Sequence, residues 1–314
     1  MIVYILKRLV LVVPVVFAVA LVCFLLVHIA PGDPLISVLP PDASGELAEQ
    51  MKRAYGFDRP LPVQFGIWVW NALNGNLGTS IATGRSVIEE VSRAVGNTVR
   101  LAVLASLIGF VFGMLFGFLA GYFRDGWIDR LVTTIAITGV SMPHYWLGMV
   151  LVIIFSVILG WLPAVGMGAG DWAWDWEHIK HLILPAVTMS VIPMGIVART
   201  VRALVGDLLS QEFVTALRAK GISERRVFVH VAKNAAPTAI AVMGLQLGYL
   251  LGGSILIETV FSWPGTGLLL NNAIFQRDLP LLQGTILVLA LFFVVLNLLV
   301  DVLQAAIDPR IKRA

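Results

Sequence analysis

Side chains able to carry covalent or metal chemistry are sparse in this sequence, and they do not converge. No Gly-x4-Gly-Lys-Ser/Thr run is present, so the glycine loop and lysine that cradle nucleotide phosphates are missing. The histidines, His28, His144, His178, His181 and His230, lie in different segments. His178 and His181 are three apart and share a helical face, but no third ligand accompanies them and no metal site is predicted. Cys23 is the sole cysteine and lies in an apolar run, which excludes an intrachain disulfide and a cysteine-based metal centre. His144 follows Pro143 inside an apolar stretch. A polar group there either lines a pathway or is a satisfied packing histidine. The chain is therefore not expected to be an enzyme or to bind a cofactor.

Two glycine series carry spacing information. Gly109, Gly113, Gly117 and Gly121 recur every four residues, and Gly244, Gly248 and Gly252 repeat the pattern. Each series makes a flat helical stripe that admits a second helix backbone to backbone. Such stripes serve static packing, or surfaces that slide; spacing does not separate the two.

A polar stretch at 202–239 is more telling. Arg199 to Lys220 reads as one helix, made water-tolerant by Asp207, Ser210, Gln211 and Glu212. Gly221 occupies the place of a left-handed cap, and Ser223 can N-cap a short helix from Glu224 to about Asn234. Val227, Phe228 and Val231 fall on one face of that helix, with Arg225, Arg226 and Lys233 elsewhere, and Pro237 is expected to end it. This gives a helix–Gly–helix elbow with an apolar ridge. It either lies on lipid headgroups through its basic residues or fits a groove on a soluble subunit.

The elements that must position these residues are membrane spans. Of 314 residues, 58% are apolar and 13% charged, against roughly 25% charged in soluble domains, and the mean hydropathy is +0.89. Soluble enzymes, nucleic-acid binders and disordered scaffolds are excluded on that inventory. A spanning helix needs about 20 mostly apolar residues. Six stretches qualify: Leu9 to Ala30, Val99 to Tyr122, Leu131 to Leu159, Leu182 to Val201, Ile240 to Ile257 and Gly284 to Ala305. The first is too long for a signal-peptide core and is read as a retained anchor.

With the N-terminus inside, Lys7, Arg8, Arg124, Arg130, the seven basic residues between Arg199 and Lys233, and Arg310, Lys312 and Arg313 face the cytoplasm. The two short outside loops hold only Lys180 and Arg277. This asymmetry places both termini inside. The long outside region 31–98 should hold an amphipathic helix around Glu46 to Tyr55 and a Trp-bearing helix around Gln64 to Leu73. Trp172, Trp174 and Trp176 crowd the next outside loop, as a headgroup-level belt or as a partner contact.

Thr215-Ala216-Leu217-Arg218-Ala219-Lys220-Gly221, followed by His230 and Asn234-Ala235-Ala236-Pro237, resembles the Glu-Ala-Ala loop of ABC-type import permeases. The form is that of the dipeptide/oligopeptide/nickel branch, and the likeness extends along the whole chain. It includes Tyr4, Arg8-Leu9 and Pro14, Ala30-Pro31-Gly32-Asp33-Pro34, Gly56-Phe57-Asp58-Arg59-Pro60, and Trp161-Leu162-Pro163-Ala164-Val165-Gly166. Its most distinctive block is Glu258-Thr259-Val260-Phe261-Ser262-Trp263-Pro264-Gly265-Thr266-Gly267, and Asn297 to Asp301 and Asp308-Pro309-Arg310 close it. Thr215 stands where the general motif has Glu, Leu217 where Ala is usual, and Pro237 one residue early.

The resemblance implies an all-α, six-span permease of type I ABC-importer fold in a bacterial or archaeal inner membrane. Its divisions are a first helix (1–30), an extracytoplasmic region (31–98), a permease core with the elbow (99–305) and a cytoplasmic tail (306–314). The implied partners are a homologous second permease, two cytoplasmic ATPases holding ATP and Mg, an extracytoplasmic solute-binding protein and membrane lipid, with no nucleic acid. Coupling is assigned to Thr215 through Gly221, with Val227 and Phe228 filling the ATPase groove. Loops 31–98 and 258–283, the latter bearing Glu258, Trp263, Pro264, Gly265 and Gly267, would receive the binding protein. The expected cargo is short peptides, with nickel chelates, opines or other small solutes as alternatives. An ion-gradient-driven transporter is the competing class, and the spans offer it few coupling charges.

Overall fold

A computed structural model of the chain describes residues 2–29, 45–46, 53 and 58–307. Regular structure among them is helical apart from one isolated bridge between Thr79 and Ser86. The helices are α1 (Ile2–Ile29), α2 (Leu61–Leu73), α3 (Val87–Tyr122), α4 (Trp127–Ser141), α5 (His144–Val152, continued by a π-helical turn Ile153–Ile158), α6 (Trp176–Leu209), α7 (Glu212–Ala219), α8 (Glu224–Val260), α9 (Thr266–Phe275) and α10 (Leu279–Ile307). Most of the expected helix at Glu46 to Tyr55, the Ala30–Pro34 motif, Gly56-Phe57 and Asp308-Pro309-Arg310 lie outside the described residues.

Four stretches are each long and apolar enough to cross a membrane: Val87–Tyr122, Trp176–Leu209, Glu224–Leu250 and Leu279–Val300. The third expected span is not one straight helix. It is the pair α4 and α5, bent by 101°. Pro143 has no N–H to continue the ladder and pushes the preceding residue out of the helical region; Met142 sits at φ −80°, ψ 135°. This bent pair supplies a fifth candidate span, and α1 holds a shorter apolar stretch, Val12–Leu25.

Two further boundaries depart from the sequence reading. The helix expected from Arg199 to Lys220 ends at Leu209, because Gln211 turns extended at φ −76°, ψ 149° before α7 begins. Pro237, expected to end the short helix, lies inside the 37-residue α8. The carbonyl its ring leaves without a donor is that of Lys233, an exposed residue where water can serve it.

Two compact units are distinguished, Met1–Asn97 with Pro264–Val295, and Thr98–Trp263 with Leu296–Ala314. In the first, Phe17 and Phe24 of α1 meet Phe65 of α2 edge-on at 5.8 and 5.3 Å. Its core gathers Leu77, Val87, Val91, Ala273, Leu281 and Leu287. Buried Asp278 secures it by accepting from Ser80 Oγ at 2.5 Å, Ala82 N at 3.1 Å and Leu281 N at 3.1 Å.

In the second unit the first glycine series is a packing seam. A Cβ on Gly109 would meet the Ser190 carbonyl oxygen at 3.0 Å, on Gly113 that of Met194 at 2.9 Å, on Gly117 that of Ala198 at 2.5 Å, and on Gly121 that of Arg202 at 2.7 Å. Both series advance by four, so α3 and α6 run parallel with their backbones in contact. Gly252 of the second series differs, with open space where a side chain would go.

Candidate functional site

The elbow is built by a glycine-terminated helix turning into a long one. At the end of α7, Ile222 N donates to Leu217 O at 3.2 Å and Gly221 N to Arg218 O at 2.9 Å, with Gly221 at φ +72°. This is the Schellman pairing that satisfies the last carbonyls of a helix. Its hydrophobic contact is also present, since Leu217 and Ile222 pack on one core cluster. Ser223 stands at the N-cap of α8 with φ −61° and ψ 146°, but its hydroxyl makes no cap bond; its carbonyl accepts from Arg226 N and Val227 N.

Across the turn, Arg218 donates from Nε to Glu224 Oε1 at 2.8 Å and from Nη2 to Oε2 at 3.1 Å, and Tyr122 Oη donates to Oε2 at 2.9 Å. The Glu224 carboxylate raises the Arg218 pKa above its ordinary value, and Arg218 and Tyr122 hold the Glu224 carboxyl below the usual carboxylate range. Sequence reading missed Glu224, because six residues and a helix break separate it from Arg218 and no helical spacing rule covers that pair.

Burial sorts the elbow into two faces. Val214, Val227 and Val231 are fully buried with Val197, Val201 and Val205 of α6. Val227 therefore holds the elbow onto its own subunit instead of presenting a ridge, which corrects the sequence reading. Phe228 is 42% exposed, with its ring 4.1 Å from Phe118. Thr215, Ala216, Arg218, Ala219, Lys220 and Gly221 are exposed, and Leu217 is half-buried.

Behind the elbow, buried Asp129 of α4 accepts a two-pronged interaction from Nε and Nη2 of Arg202 on α6, together with Asp125 N at 2.9 Å and Thr133 Oγ1 at 3.1 Å. Neither partner was singled out in the sequence; seventy-three positions separate them.

The outside-loop residues turn inward. In the second unit Glu258 and Trp263 are fully buried, Thr98 Oγ1 donates to Glu258 Oε1 at 2.7 Å, and Trp263 N donates to Glu258 O at 2.8 Å. In the first unit the Pro264 carbonyl accepts from Asn97 Nδ2 at 2.8 Å, Gly265 precedes α9, and Gly267 is buried. These side chains shape the loop from within rather than facing an outside partner. His144 begins α5 beside a cavity of about 10 Å³ that Met189, Tyr249 and Gly253 also line; its Nε2 is buried without a partner among the described residues. No cluster of three metal-ligating side chains occurs among the described residues.

Residues 113–313 match the family described as the binding-protein-dependent transport system inner membrane component, and residues 1–107 match the N-terminal membrane component of such systems. The chain belongs to this family of ABC importer permeases. The permease is 41% identical over 310 residues, 98% of each chain, to the glutathione transport system permease protein GsiC of Escherichia coli. It is equally similar to the GsiC protein of Salmonella typhimurium. Among solved structures it resembles a chain of the inward-facing MetNI methionine ABC transporter, with TM-score 0.57 and 19% identity over 69% of this chain and 96% of that one; this likeness concerns the fold. The permease is thus a transport subunit of the dipeptide/oligopeptide/nickel type without a nucleotide-binding motif, and ATP hydrolysis resides on partner subunits. Membership implies a multi-pass inner-membrane protein that works with a partner permease, ATPases and a substrate-binding protein.

Proposed function

We propose that this permease pairs with a homologous second permease to form the pathway of an ATP-driven importer of short peptides, di- and oligopeptides or glutathione-like peptides among them. The cargo class rests on the identity to the glutathione transport system permease. In this reading the chain crosses the membrane six times with both termini inside. Region 31–98 and loop 258–283 receive the binding protein, 99–305 is the permease core, and His144 lines the route. Two cytoplasmic ATPases hold ATP and Mg, and the outer face of Thr215–Gly221 sits in a groove on one of them.

The observation that carries this is the two-faced elbow: an exposed surface backed by a buried valine core, with its bend fixed by a single left-handed glycine. Replacing Gly221 with Val places a β-branched residue at φ +72°, a conformation that disfavours an L-residue by about 1–2 kcal/mol. No neighbour obstructs the new side chain, so assembly should survive while binding-protein-stimulated ATP hydrolysis loses its link to peptide uptake. Gly221→Asn, which tolerates that region, should retain uptake. Normal uptake by the Val variant in proteoliposomes would sink the elbow's role.

A further inference from the structure

In the second unit, two cavities along α4 take no part in the elbow. One, of about 320 Å³, is lined by Asp125, Asp129, Arg130, Thr133, Thr134 and Arg202. The other, of about 440 Å³, begins beside it, since Thr134 lines both, and follows α4 from Leu131 to Met142. Phe116 of α3, Leu147 of α5 and Met194 of α6 complete its apolar walls. Both volumes are in the range of small-molecule sites.

The charged cavity holds two guanidinium groups and two carboxylates, but only one of each is committed. Arg202 donates from Nε and Nη2 to Asp129, closing that pair on itself. Arg130 and Asp125 are exposed, and their side chains make no hydrogen bond or ion pair among the described residues. Their backbones do the local bonding: Asp125 N donates to Asp129 Oδ2 at 2.9 Å, and the Arg130 carbonyl accepts from Thr134 Oγ1 at 2.8 Å. Two arginines and two aspartates leave no net charge, with one cation and one carboxylate open to a guest. A simple anion satisfies Arg130 and is repelled by Asp125; a simple cation does the reverse. A molecule carrying both a phosphate and a primary ammonium answers the two together. Guanidinium pairs with phosphate, and an ammonium donates N–H to the carboxylate, which a quaternary ammonium has no hydrogen to do. Charged cavities between membrane helices are recurrent sites for lipid headgroups.

The apolar cavity suits the rest of such a molecule. From Leu131 to Met142 the chain rises about 16 Å at about 1.5 Å per residue, and half of a hydrocarbon core of about 30 Å is about 15 Å. The groove thus has the length of one acyl leaflet. Leu131 and Ile135 are 52% and 51% exposed, so a chain can enter from the bilayer side. Gly139 and Gly195 also line it, where α4 and α6 come together: a Cβ on Gly195 would lie 2.8 Å from the Ala136 carbonyl oxygen. A helix of a partner subunit laid here would leave Arg130 and Asp125 unanswered at its end unless it carried both matching charges. A phospholipid joins its charged head to its apolar chain in that same order, and it surrounds the protein.

We propose that α4 holds a phospholipid with a phosphoethanolamine headgroup, its phosphate on Arg130, its ammonium on Asp125 and one acyl chain in the groove between α4 and α6. The lipid occupies a fixed place on the permease, unlike the bulk lipid around it. The inference needs a membrane protein and is independent of the cargo.

The test uses the complete importer, purified with its partner subunits and washed free of loose lipid in detergent. It is then titrated with phosphatidylethanolamine, phosphatidylcholine or phosphatidylglycerol of identical acyl chains, and native mass spectrometry reads the lipid bound. Sites on the partner subunits are common to every variant and drop out of the difference. The natural complex should bind phosphatidylethanolamine about tenfold more tightly than phosphatidylcholine, the scale of one hydrogen bond to a charged group. Asp125→Asn should erase that preference, and Arg130→Gln should weaken all three lipids about tenfold. Thr138→Trp, at an exposed position lining the groove, should weaken all three as well. None of these changes removes a member of the Asp129–Arg202 pair. A preference for phosphatidylglycerol overturns the proposal, since the site is then one for a simple anion. Equal lipid binding by the natural complex and the two headgroup variants also overturns it. If Thr138→Trp then separates the two permeases, the groove belongs to a partner helix. Should Thr138→Trp fail to fold, the headgroup variants, both at exposed positions, decide alone.

Discussion

Asp129 and Arg202 illustrate how much one buried pair can decide. With the Asp129 side chain 3% exposed and that of Arg202 33% exposed, deleting the carboxylate leaves Asp125 N, Thr133 Oγ1 and the part-exposed Arg202 guanidinium without their acceptor. Asp129→Ala is expected to destabilise the permease by about 1–3 kcal/mol, the cost of donors left without a partner, read as a lowered midpoint in thermal unfolding of the detergent-solubilised protein. The Arg218–Glu224 fork behaves differently. Both side chains are about half exposed, 47% and 54%, and pairs in that setting add little to stability. Glu224→Gln should leave the unfolding midpoint nearly unchanged yet lower the peptide moved per ATP, because the fork fixes the angle between α7 and α8. A large midpoint loss with normal coupling would contradict this.

At the scale of helices, Gly117 of the first glycine series and Gly252 of the second separate sharply. Gly117→Ala forces a methyl to within 2.5 Å of the Ala198 carbonyl and 2.8 Å of Val201 Cβ. It should cost about 1–3 kcal/mol, the usual penalty of overpacking. Gly252→Ala meets open space and should gain up to about 1 kcal/mol from helix propensity. Thermal unfolding of the two variants side by side checks both signs. Spacing alone could not make this distinction, since it gives the stripe but not the helix that fills it. The same limit explains which boundaries were legible. Long apolar runs and the glycine stop at Gly221 are local signals; Gly221 ends its helix where expected, while four stretches and one bent pair are candidate spans against the six read from the sequence. Pro143 bends its span and Pro237 does not, although the sequence presents both simply as prolines. The backbone conformation ahead of the ring and the access of water to the freed carbonyl decide between them. Val227 and Trp263 were read as outward because motif position says nothing of burial, which depends on α6 and on distant packing.

For the molecule as a whole, the arrangement in the membrane is open to a direct test. Cys23 is the sole native cysteine and is buried, so a Cys23→Ser background carries no competing thiol. In it, Thr215→Cys should react with a membrane-impermeant maleimide only in inside-out vesicles, and Asp171→Cys only in right-side-out cells, both positions being exposed. The reverse pattern would invert the orientation read from the basic residues.

The continuity of α8 through Pro237 has a mechanical consequence. One continuous helix begins at the elbow and ends beside Glu258, so no flexible connector interrupts the path between them. From Pro237 to Val260 the helix extends about 35 Å at about 1.5 Å per residue. On that arm a tilt of about 5° at the proline becomes a shift of about 3 Å at the far end, comparable to the width of a water molecule. If the elbow receives a small rocking from a nucleotide-driven partner, as proposed above, leverage along α8 would amplify it.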